Sequence, residues 1–328
     1  MRLSTALRAR LALAFTLFCA LAALPAAAQD WPSKPVKFIV PFPPGGSVDP
    51  LARLVGARLG ESLKQQFIVE NRTGAGGAIG TAAAVKSPAD GYTFVFVFDS
   101  HPILPALVPN LPYDIVRDLA PVMLVGTAPY AIATQTDKAW KSFGDVVSAS
   151  KAKPNSVSIG SVGNGTLGHL VLVLAQNSGG FQVTHVPYRG GGPMTMDVLG
   201  GQIDLGIGSV ALLSSQVKGG KMRAIAVTGA QRSSLMPEVP TLVEQGFPGL
   251  TAHAWWGIFA PAGTPTAILE RFHAELVKVF NLPDVKKTLG ETLGMDLMAS
   301  TPEALQSFVL SEMQRWGKVV KDNSIKAD

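Results

Sequence analysis

From residue 31 onward the chain repeats one pattern: a short apolar run, a turn rich in glycine or proline, and a segment with helical periodicity. Alternation of this kind is typical of an α/β fold. The first repeat shows the pattern clearly, because residues 36–41 read as a buried strand and the segment that follows has one apolar helical face. Asp49 is the expected N-cap of that helix, and Pro50 suits its first position.

The repeats fall into two series, which predict two similar lobes joined by crossing strands. The second series begins near Tyr130, and a last strand followed by two helices is expected to return to the first lobe. Thr264-Pro265 caps the first of these helices, and Ser300 to Glu303 forms a capping box that opens the second. The predicted divisions are lobe 1 over residues 29–130, lobe 2 over 131–251, and a return to lobe 1 with the C-terminal helices over 252–328.

Residues 1–28 have the order of a secretory signal peptide. Three arginines precede an apolar run over residues 11–24, and Ala26-Ala27-Ala28 fits the small-residue cleavage rule. The run is shorter than the ~20 residues that a membrane span needs. Cleavage after Ala28 and export to the periplasm are therefore predicted, with an uncleaved anchor as the alternative. The chain's one cysteine, Cys19, lies in this run, so the mature protein must fold without disulfides.

Charge and composition exclude two broad classes. Three of the five net positive charges come from the first 28 residues, which leaves the rest of the chain at +2. Nucleic-acid binding needs clustered lysine and arginine, and the sequence has no such cluster. With 47% apolar and 16% charged residues, the chain is also too apolar to be disordered.

Two glycine-rich loops each join a predicted strand to the start of a predicted helix. They read PFPPGGSVD over residues 41–49 and GSVGNGTLG over residues 160–168. Glycine lets the backbone approach a ligand, and a helix N-terminus offers unpaired N–H donors with partial positive charge, which suits an anion. Since the loops belong to different lobes, both can face one cleft; two unrelated turns are the alternative. The candidate ligand-binding residues are Phe42, Gly45, Gly46, Ser47 and Asp49 in the first loop and Ser161, Asn164, Gly165 and Thr166 in the second.

Other motifs give no cofactor, metal or catalytic site. The second loop satisfies GxGxxG, but the next strand ends without the acidic residue that would hold a ribose, because Asp197 is the first acid to follow. No glycine loop is followed by GKS or GKT, GxSxG does not occur, and the five histidines lack metal-ligand spacing. An enzyme is then possible only if an acid and a base meet through the fold.

Two further glycine clusters, NRTGAGGAIG over residues 71–80 and VPYRGGGP over 186–193, also precede helices. Arg72 and Arg189 in these clusters either pair with a ligand carboxylate or hold the loops. Trp255 and Trp256 read as core packing, with stacking in the cleft as the alternative.

Several segments resemble, in order, those of the Bug-type periplasmic solute receptors of tripartite tricarboxylate transporters. They include PFPPGGSVD, ENRTGAGGAIG, SPADGYTF, THVPYRGGGP, PEVPTLVEQGFPG and WWGIFAPAGTP, and the likeness extends over residues 31–322. The resemblance implies a two-lobed type II periplasmic-binding fold whose two loops hold a small carboxylate, partly through bridging water. It also implies a receptor that is not an enzyme and that delivers its ligand to integral-membrane permease subunits. The alternatives are a ligand sensor for a membrane kinase and an exported enzyme acting on a carboxylic acid or ester.

Departures from the family pattern add Ser100, Gly208 and Ser209 as candidate site residues, and His169 is a further candidate because it lies one turn into the helix behind the second loop. Gly208 stands where relatives often present an acid, so extra volume and a preference for bulky or aromatic carboxylates over amino acids are expected. Asp99 either faces the cleft and favours a cationic group or lies in a solvated turn.

Overall fold

The computed structural model describes residues 31–326, so the predicted signal peptide and Cys19 lie outside the described residues. The strands are β1 (Val36–Val40), β2 (Phe67–Asn71), β3 (Thr93–Phe98), β4 (Leu119–Gln135), β5 (Ser158–Ser161), β6 (Thr184–Pro187), β7 (Leu205–Ser209), β8 (Met222–Val227), β9 (His253–Pro261) and β10 (Asp296–Leu297). The helices are α1 (Val48–Leu63), α2 (Ala78–Val85), α3 (Leu104–Leu107), α4 (Phe143–Ala152), α5 (Leu167–Gly179), α6 (Gly191–Leu199), α7 (Val210–Lys218), α8 (Thr266–Asn281), α9 (Pro283–Lys287) and α10 (Pro302–Asp322).

The strands of the described region form two halves with the same order. The first half runs β2-β1-β3-β9-β4, and the second runs β6-β5-β7-β4-β8. In each half the first three strands are parallel to one another. Each of the next two strands pairs antiparallel with the strand before it. Helices cover both faces of the parallel strands, which is why β3 reads TFVFVF and is buried at every position. The predicted α/β fold with two similar lobes is confirmed.

Strand β4 is the main connection between the halves. Its residues 119–129 pair with β9, and from Tyr130 onward it pairs with β7 and β8 instead. The partners change next to the predicted lobe boundary. Strand β9 brings the chain back by pairing with both β3 and β4.

The C-terminal helix α10 packs on β4 and α3, and its far end reaches α5 in the second lobe. There the Asn177 amide donates to Asn323, and the Asn164 amide donates to the Lys326 carbonyl over 3.0 Å. The C-terminal segment therefore contacts both lobes, and the assignment of residues 252–328 to lobe 1 stays a prediction.

Two predicted helix caps are wrong by one or two residues, and the third falls on the second residue of the predicted Thr264-Pro265 pair. Helix α1 begins at Val48 with Ser47 as its N-cap, because the Asp49 carboxylate is held instead by Arg53, one turn on, and by Asn71 of β2. Helix α10 has Thr301 as its N-cap, whose hydroxyl accepts from the Ala304 N–H; Pro302 then takes the first helical position, where it lacks only an unused donor. Helix α8 has Pro265 as its N-cap, because the Thr264 hydroxyl donates to the Pro261 carbonyl.

Both neighbouring tryptophans belong to the core, as the packing interpretation predicted. Trp255 and Trp256 are 0% and 1% exposed and lie on opposite faces of β9. Within residues 31–326, no helix is both long and apolar enough to cross a membrane.

Candidate ligand-binding cleft

Within the described region, four helices begin at one cavity between the two lobes. Their N-cap residues, which all line this cavity, are Ser47 of α1, Thr166 of α5, Gly190 of α6 and Ser209 of α7. The other lining residues are Phe42, Pro43, Gly46, Val48, Phe98, Tyr130, Val162, Gly191 and Leu212. None of these described lining residues carries a charged side chain. The cavity therefore suits an anion that is held by helix dipoles, N–H groups and hydroxyls without a counter-cation.

The first loop presents a hydroxyl whose orientation is fixed from behind. The Ser47 Oγ accepts a hydrogen bond from the Trp256 indole N–H over 3.2 Å. This bond uses a lone pair of Ser47 and leaves its proton available for an anion. The loop itself is held by Asn71, whose amide donates to the Phe42 carbonyl and to Asp49.

The second loop is held mainly by its own polar groups. The hydroxyls of Thr166 and Ser161 both donate to the Gly163 carbonyl, over 2.7 and 2.9 Å. The Thr166 proton is therefore already used, and this residue can serve an anion through the N-terminus of α5 more than through its hydroxyl. Gly165 has a φ of +67° and faces Leu107 so closely that a Cβ would lie 2.2 Å from it, which requires glycine here.

The structure brings together some of the predicted site residues and separates others. Those on the cavity wall are Phe42, Gly46, Ser47, Thr166 and Ser209. Those placed off the wall are Gly45, Asp49, Ser100, Ser161, Asn164, Gly165, His169 and Gly208. Most of the second group have partners that shape the loops: the Ser100 hydroxyl donates to Gly76 over 2.7 Å, and the His169 ring accepts from the Gly165 N–H over 3.0 Å. Direct contact of any of these residues with a ligand stays a prediction.

The extra volume expected at Gly208 is not there. A Cβ on Gly208 would lie 2.8 Å from a Leu212 methyl group, and a Cβ on Gly191 would lie 2.4 Å from the same methyl group. The Leu212 side chain occupies the space that the small residues leave. It forms an apolar wall of the cavity.

Both interpretations of Asp99 are wrong, because its carboxyl is buried rather than in the cleft or in solvent. It is 1% exposed, and its Oδ2 accepts from the Tyr130 hydroxyl over 2.7 Å. Burial raises the pKa of Asp99 well above its usual value, and burial likewise raises that of Tyr130. The pair joins the end of β3 to the point where β4 changes partners, and it holds the Tyr130 ring against the cavity.

The two lobes touch across the cleft. A Cβ on Gly190 would lie 2.6 Å from the Pro43 ring of the other lobe, and the Leu107 side chain lies against Gly165. The cavity volume is about 30 Å³, which is the space of about two or three water molecules. A ligand of several carbons can enter or leave only if the lobes move apart.

Sequence reasoning left Gly190, Gly191 and Leu212 out of the site. The first two lie in the VPYRGGGP cluster, so their signal was the glycine-rich start of a helix. Leu212 had no signal, because an apolar residue one turn into a helix reads as core. Arg72 pairs with Glu70, as its loop-holding interpretation predicted, and Arg189 is not on the cavity wall. Among residues 31–326 no group of three or more histidine, cysteine or acidic side chains is placed to hold a metal ion.

The sequence profile described as the Tripartite tricarboxylate transporter family receptor matches residues 51–325 of this chain. The chain belongs to this receptor family. The receptor is 35% identical over 306 residues to Protein BugT of Bordetella pertussis (strain Tohama I), an alignment that covers 93% of this chain and 94% of BugT.

Solved structures of relatives share the receptor's fold. The structure of R. palustris Rpa4515 with adipate has a TM-score of 0.86 and 33% identity, and covers 90% of this chain and 99% of that one. MatC from Rhodopseudomonas palustris with bound malate has a TM-score of 0.82 and 28% identity, and the match covers 88% of this chain and 100% of MatC. The two-lobed type II periplasmic-binding fold that the motifs implied is thus confirmed for this receptor.

Proposed function

We propose that this receptor binds one small organic carboxylate in the cleft between its lobes and delivers it to the integral-membrane permease subunits of a tripartite tricarboxylate transporter. The observation that carries the proposal is the convergence of the N-caps Ser47, Thr166, Gly190 and Ser209 on one uncharged cavity. The relatives solved with adipate and malate support the same ligand class.

Simple energetics support binding without a cation. A hydrogen bond to a charged group contributes about 1.5–3 kcal/mol, and association costs about 4 kcal/mol or more. Roughly five such bonds from the Ser47 hydroxyl and the helix N–H groups leave about 4–11 kcal/mol, which includes the free energy of micromolar binding.

The apolar walls suggest which carboxylates fit. Phe42, Val162 and Leu212 surround the space beyond the helix N-termini, and no acidic side chain of the described region lines it for a ligand ammonium. A hydroxyl or ammonium group there would lose its water without gaining a partner. Adipate carries two carboxylates joined by an apolar chain and has neither a hydroxyl nor an ammonium group, so it is expected to bind better than malate, aspartate or glutamate.

We further propose that the protein works in the periplasm as a mature chain beginning at Gln29, and that it does not transform its ligand. The signal-peptide pattern and the absence of a catalytic motif in the sequence support this.

The test is calorimetry of the purified mature protein with adipate, malate and aspartate, followed by NMR of the recovered ligand. Saturable binding that is tightest for adipate, with the ligand recovered unchanged, is expected. Turnover without loss of protein contradicts the receptor function, and tightest binding of aspartate contradicts the proposed ligand preference. A terminal residue other than Gln29 in periplasmic protein contradicts the proposed processing.

A further inference from the structure

Two stacked histidines lie behind the second glycine-rich loop. The rings of His169, in the first turn of α5, and His185, on β6, are parallel within 5°, with their centroids 4.0 Å apart. The His169 Nδ1 accepts a hydrogen bond from the Gly165 N–H over 3.0 Å. The His185 Nε2 is 2.7 Å from the Ser161 hydroxyl. The pair therefore holds the loop at two points on either side of Gly163.

The bond to Gly165 fixes the protonation state of His169. A backbone N–H can only donate, so the Nδ1 must be without a proton. Protonation would place two donors against each other at 3.0 Å. The segment between Gly163 and Thr166 would then have to move.

Several features of the surroundings disfavour a charge on the pair. His169 lies at the positive end of the α5 dipole, which repels a cation. Burial, followed by the nearby His169 ring, lowers the pKa of His185 to about 4. Two charged rings stacked at 4.0 Å would repel each other, so at most one of them takes up a proton.

Described polar groups reach the pair from β5, from the loop and from the C-terminal segment. Strand β5 contributes the Ser161 hydroxyl, and the loop contributes the Gly165 N–H. The C-terminal segment packs on α5 through Asn323 and on the loop through the Lys326 carbonyl. Among the described residues of that segment the charged ones are Lys321, Asp322 and Lys326, of which Asp322 is paired with Lys318.

We propose that His169 is a positioning residue for the second loop, and that loss of its neutral Nδ1 acceptor weakens carboxylate binding when the periplasm is acidified. It acts through the Gly165 N–H, which sets the path of the loop to Thr166 at the N-terminus of α5. The proposal rests on the proposed function, because it assumes that this N-terminus binds the ligand. It adds release at low pH to that function.

The experiment measures adipate affinity by calorimetry between pH 7.5 and pH 5.5 for wild type, His169→Asn and His169→Leu. The asparagine Oδ1 can accept from Gly165 but does not titrate, whereas leucine cannot accept. The titration of adipate itself is common to all three proteins, so ratios of affinities isolate the protein's contribution. Gln314→Asn, an exposed change on α10, is the matched control and should follow wild type.

Near pH 7.5, His169→Asn is expected to bind within about twofold of wild type, while His169→Leu is weaker by about fivefold, the value of one hydrogen bond. Towards pH 5.5, wild type should lose about fivefold relative to His169→Asn. Equal pH profiles for wild type and His169→Asn would overturn the proposal while leaving the carboxylate-binding function intact.

Hydrogen exchange of residues 161–169 in the protein without adipate provides a readout that does not depend on binding or on the variants folding. Wild type should exchange faster in this segment at pH 5.5 than at pH 7.5, after correction by the α4 segment for the intrinsic effect of pH. Exchange that does not accelerate overturns the positioning role of His169. If adipate does not bind at either pH but the segment loosens as described, the positioning role stands and the proposed ligand fails.

Discussion

The indole N–H of Trp256 donates to the hydroxyl of Ser47 over 3.2 Å, which ties the strand returning from the second lobe to the first helix N-cap of the cleft. Trp256 is 1% exposed and is paired through β9 with Phe98 of β3 and Gly126 of β4. The orientation of Ser47 is therefore set by the rigid centre of the sheet. Its remaining proton is directed by that bond rather than by the loop.

Removing both loop hydroxyls should weaken binding at least about tenfold, equivalent to ~1.4 kcal/mol. Ser47→Ala alone should account for most of the loss, because the Thr166 proton is already donated to Gly163. Calorimetry with adipate on Ser47→Ala, Thr166→Ala and the double variant measures this. Ser311→Ala, an exposed hydroxyl on α10, is the control and should bind as wild type does. Wild-type affinity in the double variant would show that the two loops do not form the site.

The Leu212 side chain should set the size of ligand that the cleft accepts. Leu212→Ala removes apolar volume from the cavity wall and should raise the affinity for benzoate relative to adipate. Gly208→Ala should do the reverse, because its new methyl group lies 2.8 Å from Leu212 and pushes that side chain towards the cavity. The measurement is the thermal shift that benzoate and adipate each produce in wild type and in the two variants. The same ranking in all three proteins would exclude Leu212 as a determinant.

Ligand binding should make the protein more compact, since each lobe supplies only part of the donors and a ligand that bridges them favours the closed arrangement. Small-angle scattering is expected to show a smaller radius of gyration on addition of adipate. Gly190→Ala should reduce this change, because its methyl group would lie 2.6 Å from Pro43 across the cleft. Identical profiles of the wild type with and without saturating adipate would mean that the lobes do not move.

Features set by nearby residues could be predicted from the sequence, and features set by distant ones could not. The strand-turn-helix alternation and the glycine loops are local, so the fold and the placement of Ser47 and Thr166 followed from them. Gly208 and Leu212 show the limit even at short range, because what fills the space beside a glycine depends on how the next helix turns. The partner of Asp99 is 31 residues away on β4 and is brought there only by the sheet.

The start of α1 shows a different limit. Asp49 is a good N-cap by residue type, but Arg53 and Asn71 offer its carboxylate a charged and an amide donor. Those partners come from the next turn of the helix and from β2. A cap preference of about 1 kcal/mol is overridden by such a network.

The last prediction concerns Asp99 and His101, which are both buried at the end of β3 and should give the stability opposite dependences on pH. Burial lowers the pKa of His101 to about 3. As pH falls from about 6.5 towards 3, the unfolded chain takes up a proton that folded His101 does not, so this residue makes the fold less stable in acid. Burial raises the pKa of Asp99 well above its usual value. As pH rises above about 4, the unfolded chain releases a proton that folded Asp99 keeps, so this residue makes the fold less stable towards neutral pH.

Two substitutions separate these contributions. His101→Phe keeps a ring beside Phe259 and removes two ring nitrogens that have no hydrogen-bond partner among the described residues, so it should stabilise the protein, by about 1–3 kcal/mol at pH 5. Its free energy of unfolding should also fall less on acidification, by up to about 1.4 kcal/mol per pH unit. Asp99→Asn keeps an acceptor for Tyr130, and it should change the pH dependence of the free energy of unfolding in the opposite direction. Urea unfolding at pH 5, 6 and 7.5 measures how the free energy of unfolding changes with pH in each variant. Below about pH 6.5 the double variant should return close to the wild-type dependence. Changes in the same direction in the two single variants would contradict the assignment.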